Sequence, residues 1–177
     1  MKKAFLILFL IIAIPSQSQE LIQNNDQTKV MFKIKNFGVN VDGDFSDVTI
    51  KTNFNSNKLS ESYINAEIAV KSIATGIKGR DKSILKKGYF DEANYKIIQL
   101  KSTKIEKKSE GNFMLYANLT IKKTTKSIEI PLEVLENDSS MKMKANFMIN
   151  RKDYKVGGGS LILSKKVKIQ VIYTGSL

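Results

Sequence analysis

Phe113-Met114-Leu115-Tyr116-Ala117-Asn118-Leu119-Thr120-Ile121 decides the fold of this chain. In an extended backbone Phe113, Leu115, Ala117, Leu119 and Ile121 fall on one side, and Met114, Tyr116, Asn118 and Thr120 on the other. That is the period of two of a strand with one buried face. The same pattern recurs outward in both directions. Val30, Phe32 and Ile34 share a face, as do Phe37, Val39, Val41 and Phe45, then Val48, Ile50, Thr52 and Phe54, then Ile64, Ala66, Ile68 and Val70. Toward the C-terminus follow Ile128, Ile130, Leu132 and Val134, then Met141, Met143, Ala145, Phe147 and Ile149, then Val167, Ile169, Val171 and Tyr173. The run Ile97 to Ile105 is ambiguous in phase, because Ile97 and Ile98 are adjacent.

Eight or nine such runs, joined by short polar loops such as Lys108-Ser109-Glu110-Gly111-Asn112, predict an all-β, antiparallel sheet. Closing it into a barrel of about eight strands removes the exposed edges; a sandwich is the alternative. Pro131 falls inside a predicted strand and marks an edge or a bulge. The inward set includes Ala66, Ala117 and Ala145 among large residues. A barrel of this size is either filled by its side chains or holds one small ligand, and the alanines are compatible with both.

The N-terminus is of another kind. Lys2 and Lys3 precede the apolar run Ala4–Ile14, Pro15 breaks it, and Ser16-Gln17-Ser18 supplies small residues. This is the pattern of a secretory signal peptide over 1–18, cleaved after Ser18, with one soluble domain over 19–177. The expected destination is the periplasm or beyond. The chain has no Cys and no His, which removes thiolate and imidazole chemistry and His/Cys metal sites. No cofactor and no metal is predicted. The formal net charge of +12 falls to +10 without Lys2 and Lys3. Most lysines alternate with apolar residues on solvated strand faces. With 27 Lys and only Arg80 and Arg151, the composition lacks the arginine-rich character of phosphate readers, so nucleic acid is not an expected partner. Transient contact with a membrane surface is compatible with the charge.

The alternation stops once, between Ser72 and Tyr95, a stretch with three of the ten glycines. Lys78 to Leu85 fits two helical turns, with Ile77, Ile84 and Leu85 as an apolar side and Gly79 and Gly88 as punctuation. Arg80 and Asp81 are placed either to orient a ligand head group at a cavity mouth or to anchor the insert by an ion pair or backbone cap. Tyr89-Phe90-Asp91-Glu92-Ala93-Asn94-Tyr95 carries three aromatics. Tyr89 or Tyr95 suits a cavity rim, with a polar tip on an apolar body, whereas Phe90 suits a small core beneath the loop. Asp91-Glu92 is the one acid pair available for general acid–base work, and nothing near it in sequence tunes it.

Taken in order, five blocks resemble the YceI-like family of lipid- and polyisoprenoid-binding proteins. They are Val30-Met31-Phe32-Lys33-Ile34-Lys35-Asn36-Phe37-Gly38, the V-x-G-x-F of Val41-Asp42-Gly43-Asp44-Phe45, the insert (Ser72–Gly76, Arg80-Asp81, Leu85, Tyr89-Phe90-Asp91), Leu119–Lys126 and Ile149–Tyr154. Two positions depart from the family pattern: Lys123 stands where Gly is usual, and Lys96 where Pro is usual. The resemblance implies a lipocalin-like antiparallel barrel with one short helical insert, exported, holding a long-chain apolar ligand such as a polyisoprenoid, an isoprenoid quinone or a fatty-acid derivative. On that reading Val39, Val41, Ile50, Ile68, Leu115, Leu119, Phe147 and Ile169 line the tunnel, with Tyr89 at its rim, and the insert is a lid anchored by Arg80 and Asp81. A filled-barrel envelope module is the competing reading; an enzyme using Asp81 or Asp91 is the third. Oligomeric state is not legible in the sequence.

Overall fold

A computed structural model describes residues 19–137 and 139–176; the expected signal peptide lies outside them. The strands are β1 (Ile22–Gln23), β2 (Lys29–Asn36), β3 (Val39–Phe45), β4 (Val48–Thr52), β5 (Ile64–Ala69), β6 (Ile73–Ala74), β7 (Ile97–Ser109), β8 (Asn112–Ile121), β9 (Thr124–Glu136), β10 (Ser140–Asn150) and β11 (Leu163–Ser176). One α-helix, α1 (Lys78–Ile84), stands in the insert, and short 3-10 turns cover Val70–Ser72 and Arg151–Tyr154. The strand order is β4-β5-β7-β8-β9-β10-β11-β2-β3-β6, and every pairing is antiparallel.

Eight staves form this curled, lipocalin-like sheet. β3 runs through Ser46-Asp47 into β4, and β5 runs through Val70–Ser72 into β6. β6 pairs β3 while β5 pairs β4, so the chain itself carries the sheet around. β1 bridges the remaining seam: Ile22 pairs Ser176 of β11, and Leu21 N donates to Thr52 O beside β4 (2.8 Å). Two-residue strands are too short to show a period, which is why β1 and β6 are absent from the sequence reading.

β8 buries Phe113, Leu115, Ala117, Leu119 and Ile121, the face its alternation predicts. The ambiguous run resolves through a register shift between Ser102 and Lys104. Ile98 is buried before it and Ile105 after it; the extra residue changes the parity. Pro131 sits where the β9–β10 ladder ends, one residue past the last pair, Leu132↔Ala145. Phe37 is a correction. It does not face inward but occupies a two-residue turn with Gly38, at φ of +50° and +79°, and is 73% exposed.

The two ends of the barrel differ. At one end Phe54 meets Phe113 edge-on at 5.0 Å within a core that includes Leu21 and Tyr173. At the other lie the β2–β3 turn, the insert, the β8–β9 turn and the long 151–162 connection. There a second cluster packs Tyr154 and Val156 with Leu119 and Ile121, against Phe90 and Tyr89 of the insert.

Gly43 explains the V-x-G-x-F block. It pairs with Phe32, and a Cβ there would strike both the Phe32 ring and the Ala74 carbonyl oxygen. Phe32 can therefore lie across the strand against Phe45 (5.8 Å) only because position 43 has no side chain. Gly43→Val is expected to cost about 2 kcal/mol by overpacking, read as a fall of about 6 °C in thermal midpoint. A midpoint equal to wild type would show that β6 and Phe32 give way freely.

Candidate functional site: an apolar cavity open at one end

Between the filled end and the insert the barrel is hollow. The cavity measures about 350 Å³, within the range of small-ligand pockets. Side chains do not fill the interior completely, as the competing filled-barrel reading would have it. The walls follow from strand parity: Val30, Phe32 and Ile34 from β2, Ala66 and Ile68 from β5, Leu115 and Leu119 from β8, Met143, Ala145 and Phe147 from β10, and Val167, Ile169 and Val171 from β11. The Tyr173 ring forms part of the floor. Its hydroxyl lies over Gly175, is buried and has no hydrogen-bond partner among the described residues. Burial pushes its pKa up to about 12, so it is a neutral phenol at any physiological pH.

Hydroxyl, amide and guanidinium groups enter the rest of the lining only toward the open end, where Asn36, Thr75, Arg80, Ser83, Arg151 and Ser160 gather. Among the described residues no carboxylate lines the cavity. A molecule that fits is long and apolar, with its polar end at the mouth.

Of the residues expected to line the tunnel, Val41, Ile50, Ile68, Leu115, Leu119, Phe147, Ile169 and Tyr89 do face the cavity. Val39 does not. It has the parity of Val41, but it pairs with Asn36 at the tip of the β2–β3 hairpin, beyond the rim, and is 68% exposed. Asp81 does not face the cavity either, while Arg80 does. The two side chains converge on Thr75 instead of pairing with each other. Arg80 donates from Nε to Thr75 Oγ1 (2.7 Å) and from Nη2 to the Thr75 carbonyl (2.6 Å). Asp81 Oδ1 accepts from the Thr75 amide (2.9 Å) and from its hydroxyl. Every polar atom of buried Thr75 is thereby used, at the point where the chain leaves β6 for α1.

If this clamp holds the insert, Arg80→Ala should raise amide exchange across 75–95 about tenfold while the barrel strands keep their protection. An equal rise in β8 would identify Arg80 as a strut of the whole fold.

Arg151 is the site residue that sequence reasoning missed. It is 3% exposed and has no acidic partner among the described residues. Its guanidinium donates to five carbonyls of the following connection: Val156 (2.7 Å), Leu163 (2.8 Å), Ser164 (2.9 Å), and Gly158 and Ser160 (both 3.4 Å). Burial pushes its pKa below the ordinary arginine value, and the carbonyl oxygens supply the compensating negative ends of dipoles. Gly157 is held against this group and the Tyr89 ring, where a side chain would not fit, and its amide donates to Gly88 O (3.0 Å). Arg151 thus shapes the 156–164 connection, and that connection is bonded to the insert across the mouth. The rarity of arginine was the available signal. Its partners were not legible, because backbone carbonyls leave no mark in a sequence.

Comparison with known proteins agrees with this geometry. Curated relatives described as UPF0312 proteins include one from Vibrio parahaemolyticus, 27% identical over 59% of this chain and 56% of its own length. Another, from Pseudomonas syringae pv. tomato, is 32% identical over 57% of this chain and 53% of its own. The chain thus matches little more than half the length of these relatives. Among solved structures, BcnA of Burkholderia cenocepacia superposes with a TM-score of 0.82 at 22% identity, over 86% of this chain and 98% of that one. A polyisoprenoid-binding domain from Saccharophagus degradans superposes with a TM-score of 0.70 at 13% identity, over 90% and 99%. At these identities the structures speak for the fold. The sequence profile of the YceI-like domain matches residues 22–174, from β1 through the last strand and across every element that walls the cavity, and the chain belongs to that family.

Proposed function

We propose that this protein is an exported, non-enzymatic carrier that holds a long-chain apolar lipid in its barrel. The observation that supports it is the gradient of the cavity: apolar side chains along its depth, polar groups at its mouth and no carboxylate in its lining. Family membership and the polyisoprenoid-binding relative of the same fold point to binding rather than catalysis. Asp81 bonds to Thr75 and Asp91 to the side-chain amide of Asn94 (3.0 Å). Polyisoprenoids, isoprenoid quinones and fatty-acid derivatives all match the gradient. About ten buried methylene equivalents supply roughly 8 kcal/mol of gross driving force, part of which is spent on immobilising the tail. Arg80 is among the residues lining the cavity, and its Nη1, with no partner among the described residues, suits the polar end of such a ligand. Cleavage after Ser18 and passage to the periplasm or beyond belong to the same reading.

Mass spectrometry of an organic extract of protein purified from the exported fraction tests it. Recovery of a prenyl or acyl lipid in near-stoichiometric amount is the expected result. An empty extract, together with no uptake of labelled quinone or fatty acid by the stripped protein, would overturn the carrier reading.

A further inference from the structure

Phe37 is an expensive residue where it stands. Its φ of +50° belongs to a region that Gly and Asn enter readily and a bulky aromatic does not. The ring it carries is 73% exposed and packs into no core cluster among the described residues. Asn at this position, before Gly38, would suit a two-residue hairpin turn far better.

The turn is not alone. Phe37 N donates to Ile162 O (3.0 Å), which ties it to a connection whose Leu161 is 99% exposed and whose Ile162 is 45% exposed. Ile162 also lines the cavity, as does Asn36 beside Phe37. Three large apolar side chains therefore project from two joined tips at the rim of the mouth. Around them the charge is one-sided. The connections at this end, residues 75–96, 122–123 and 151–162, hold eleven Lys and Arg against four Asp and Glu. At the filled end the connections 24–28, 53–63 and 110–111 hold Asp26, Glu61 and Glu110 against Lys58 alone. Counted over these connections, the excess positive charge lies at the cavity mouth.

We propose that this end docks on an anionic phospholipid bilayer, with Phe37, Leu161 and Ile162 entering the acyl boundary and the surrounding lysines meeting head groups. Apolar tips with basic flanks are the pattern of interfacial membrane binding. A protein partner fits less well: protein interface cores are depleted in lysine, and these tips offer no flat apolar face. No helix among the described residues is long and apolar enough to cross a membrane, so this is docking by turns and loops. The inference deepens the carrier reading, because a mouth pressed to the bilayer lets a lipid pass between membrane and cavity without crossing water.

The test is co-sedimentation of the mature, lipid-stripped protein with vesicles containing phosphatidylglycerol and, separately, with pure phosphatidylcholine vesicles. Binding to the anionic vesicles should be tighter by about tenfold or more and should weaken with salt. The double variant Phe37→Asn/Leu161→Ser should lose about tenfold in vesicle affinity. Phe37→Asn alone should leave the thermal midpoint unchanged or raised, since it relieves the turn. Absence of binding to anionic vesicles at low salt would overturn the proposal. So would a double variant that binds as wild type, because the lysines alone would then account for the attraction. The assay does not require a loaded cavity. A variant with its cavity blocked at Ala66 should still bind vesicles, so failure of docking and failure of lipid carriage are separable.

Discussion

Arg151→Met is expected to lower the thermal midpoint by about 10 °C. Met fills much of the same volume with an apolar chain, so the loss isolates the guanidinium. Three strong and two long bonds to backbone carbonyls disappear, and the donors lost are charged. Relief of the buried charge offsets part of this, leaving a net cost of about 3 kcal/mol, and a domain of this size moves by roughly 2–4 °C per kcal/mol. The effect should be local in origin. Limited proteolysis should cut first within 156–164, where the carbonyls lose their common donor and three consecutive glycines remain. Arg151→Lys should recover less than half of the loss, since one ammonium cannot reach five acceptors spread from Val156 to Ser164. A midpoint within 2–3 °C of wild type for Arg151→Met would mean that the connection holds its shape without the guanidinium.

Arg151 also marks the boundary of what this sequence discloses. Alternation in β8 and β10 is readable because each inward side chain is selected for the same apolar interior, so parity and burial run together along the strand. Helix α1 is readable because glycines and a switch of period bracket it. Parity alone fails where geometry beyond the single strand intervenes. Val39 keeps the inward phase, but the hairpin has already passed the rim. Phe37 looks like another strand residue, because a left-handed aromatic in a turn breaks the composition rule that would have announced it. Arg80 and Asp81 were legible as an anchoring pair, yet their common partner, Thr75, was not: a threonine contributing its amide, carbonyl and hydroxyl at once resembles any other loop threonine.

The three inward alanines carry the same lesson and the second large prediction. Sequence places Ala66, Ala117 and Ala145 alike. In the structure Ala66 and Ala145 face the cavity, whereas Ala117 is buried in the packed core and does not line the cavity. Ala66→Phe and Ala117→Phe add the same atoms to β5 and β8 with opposite consequences. At Ala66, which pairs with Ile50 and Leu100, the ring enters empty space. Lipid uptake should fall by more than about tenfold, the loss expected when two or more methylene-equivalents of tail contact are displaced. The thermal midpoint should hold or rise, because a void is filled. At Ala117, between Ser102 and Ile128, there is no such space. The ring must push neighbours off their rotamers, at a cost of about 3 kcal/mol and a midpoint lower by roughly 10 °C. The residual folded fraction should still take up lipid. The pair is measured by thermal melting and labelled-lipid uptake side by side. If Ala66→Phe destabilises as much as Ala117→Phe, the interior is packed where it now stands hollow. If Ala66→Phe leaves uptake intact, the ligand does not reach the depth of the barrel.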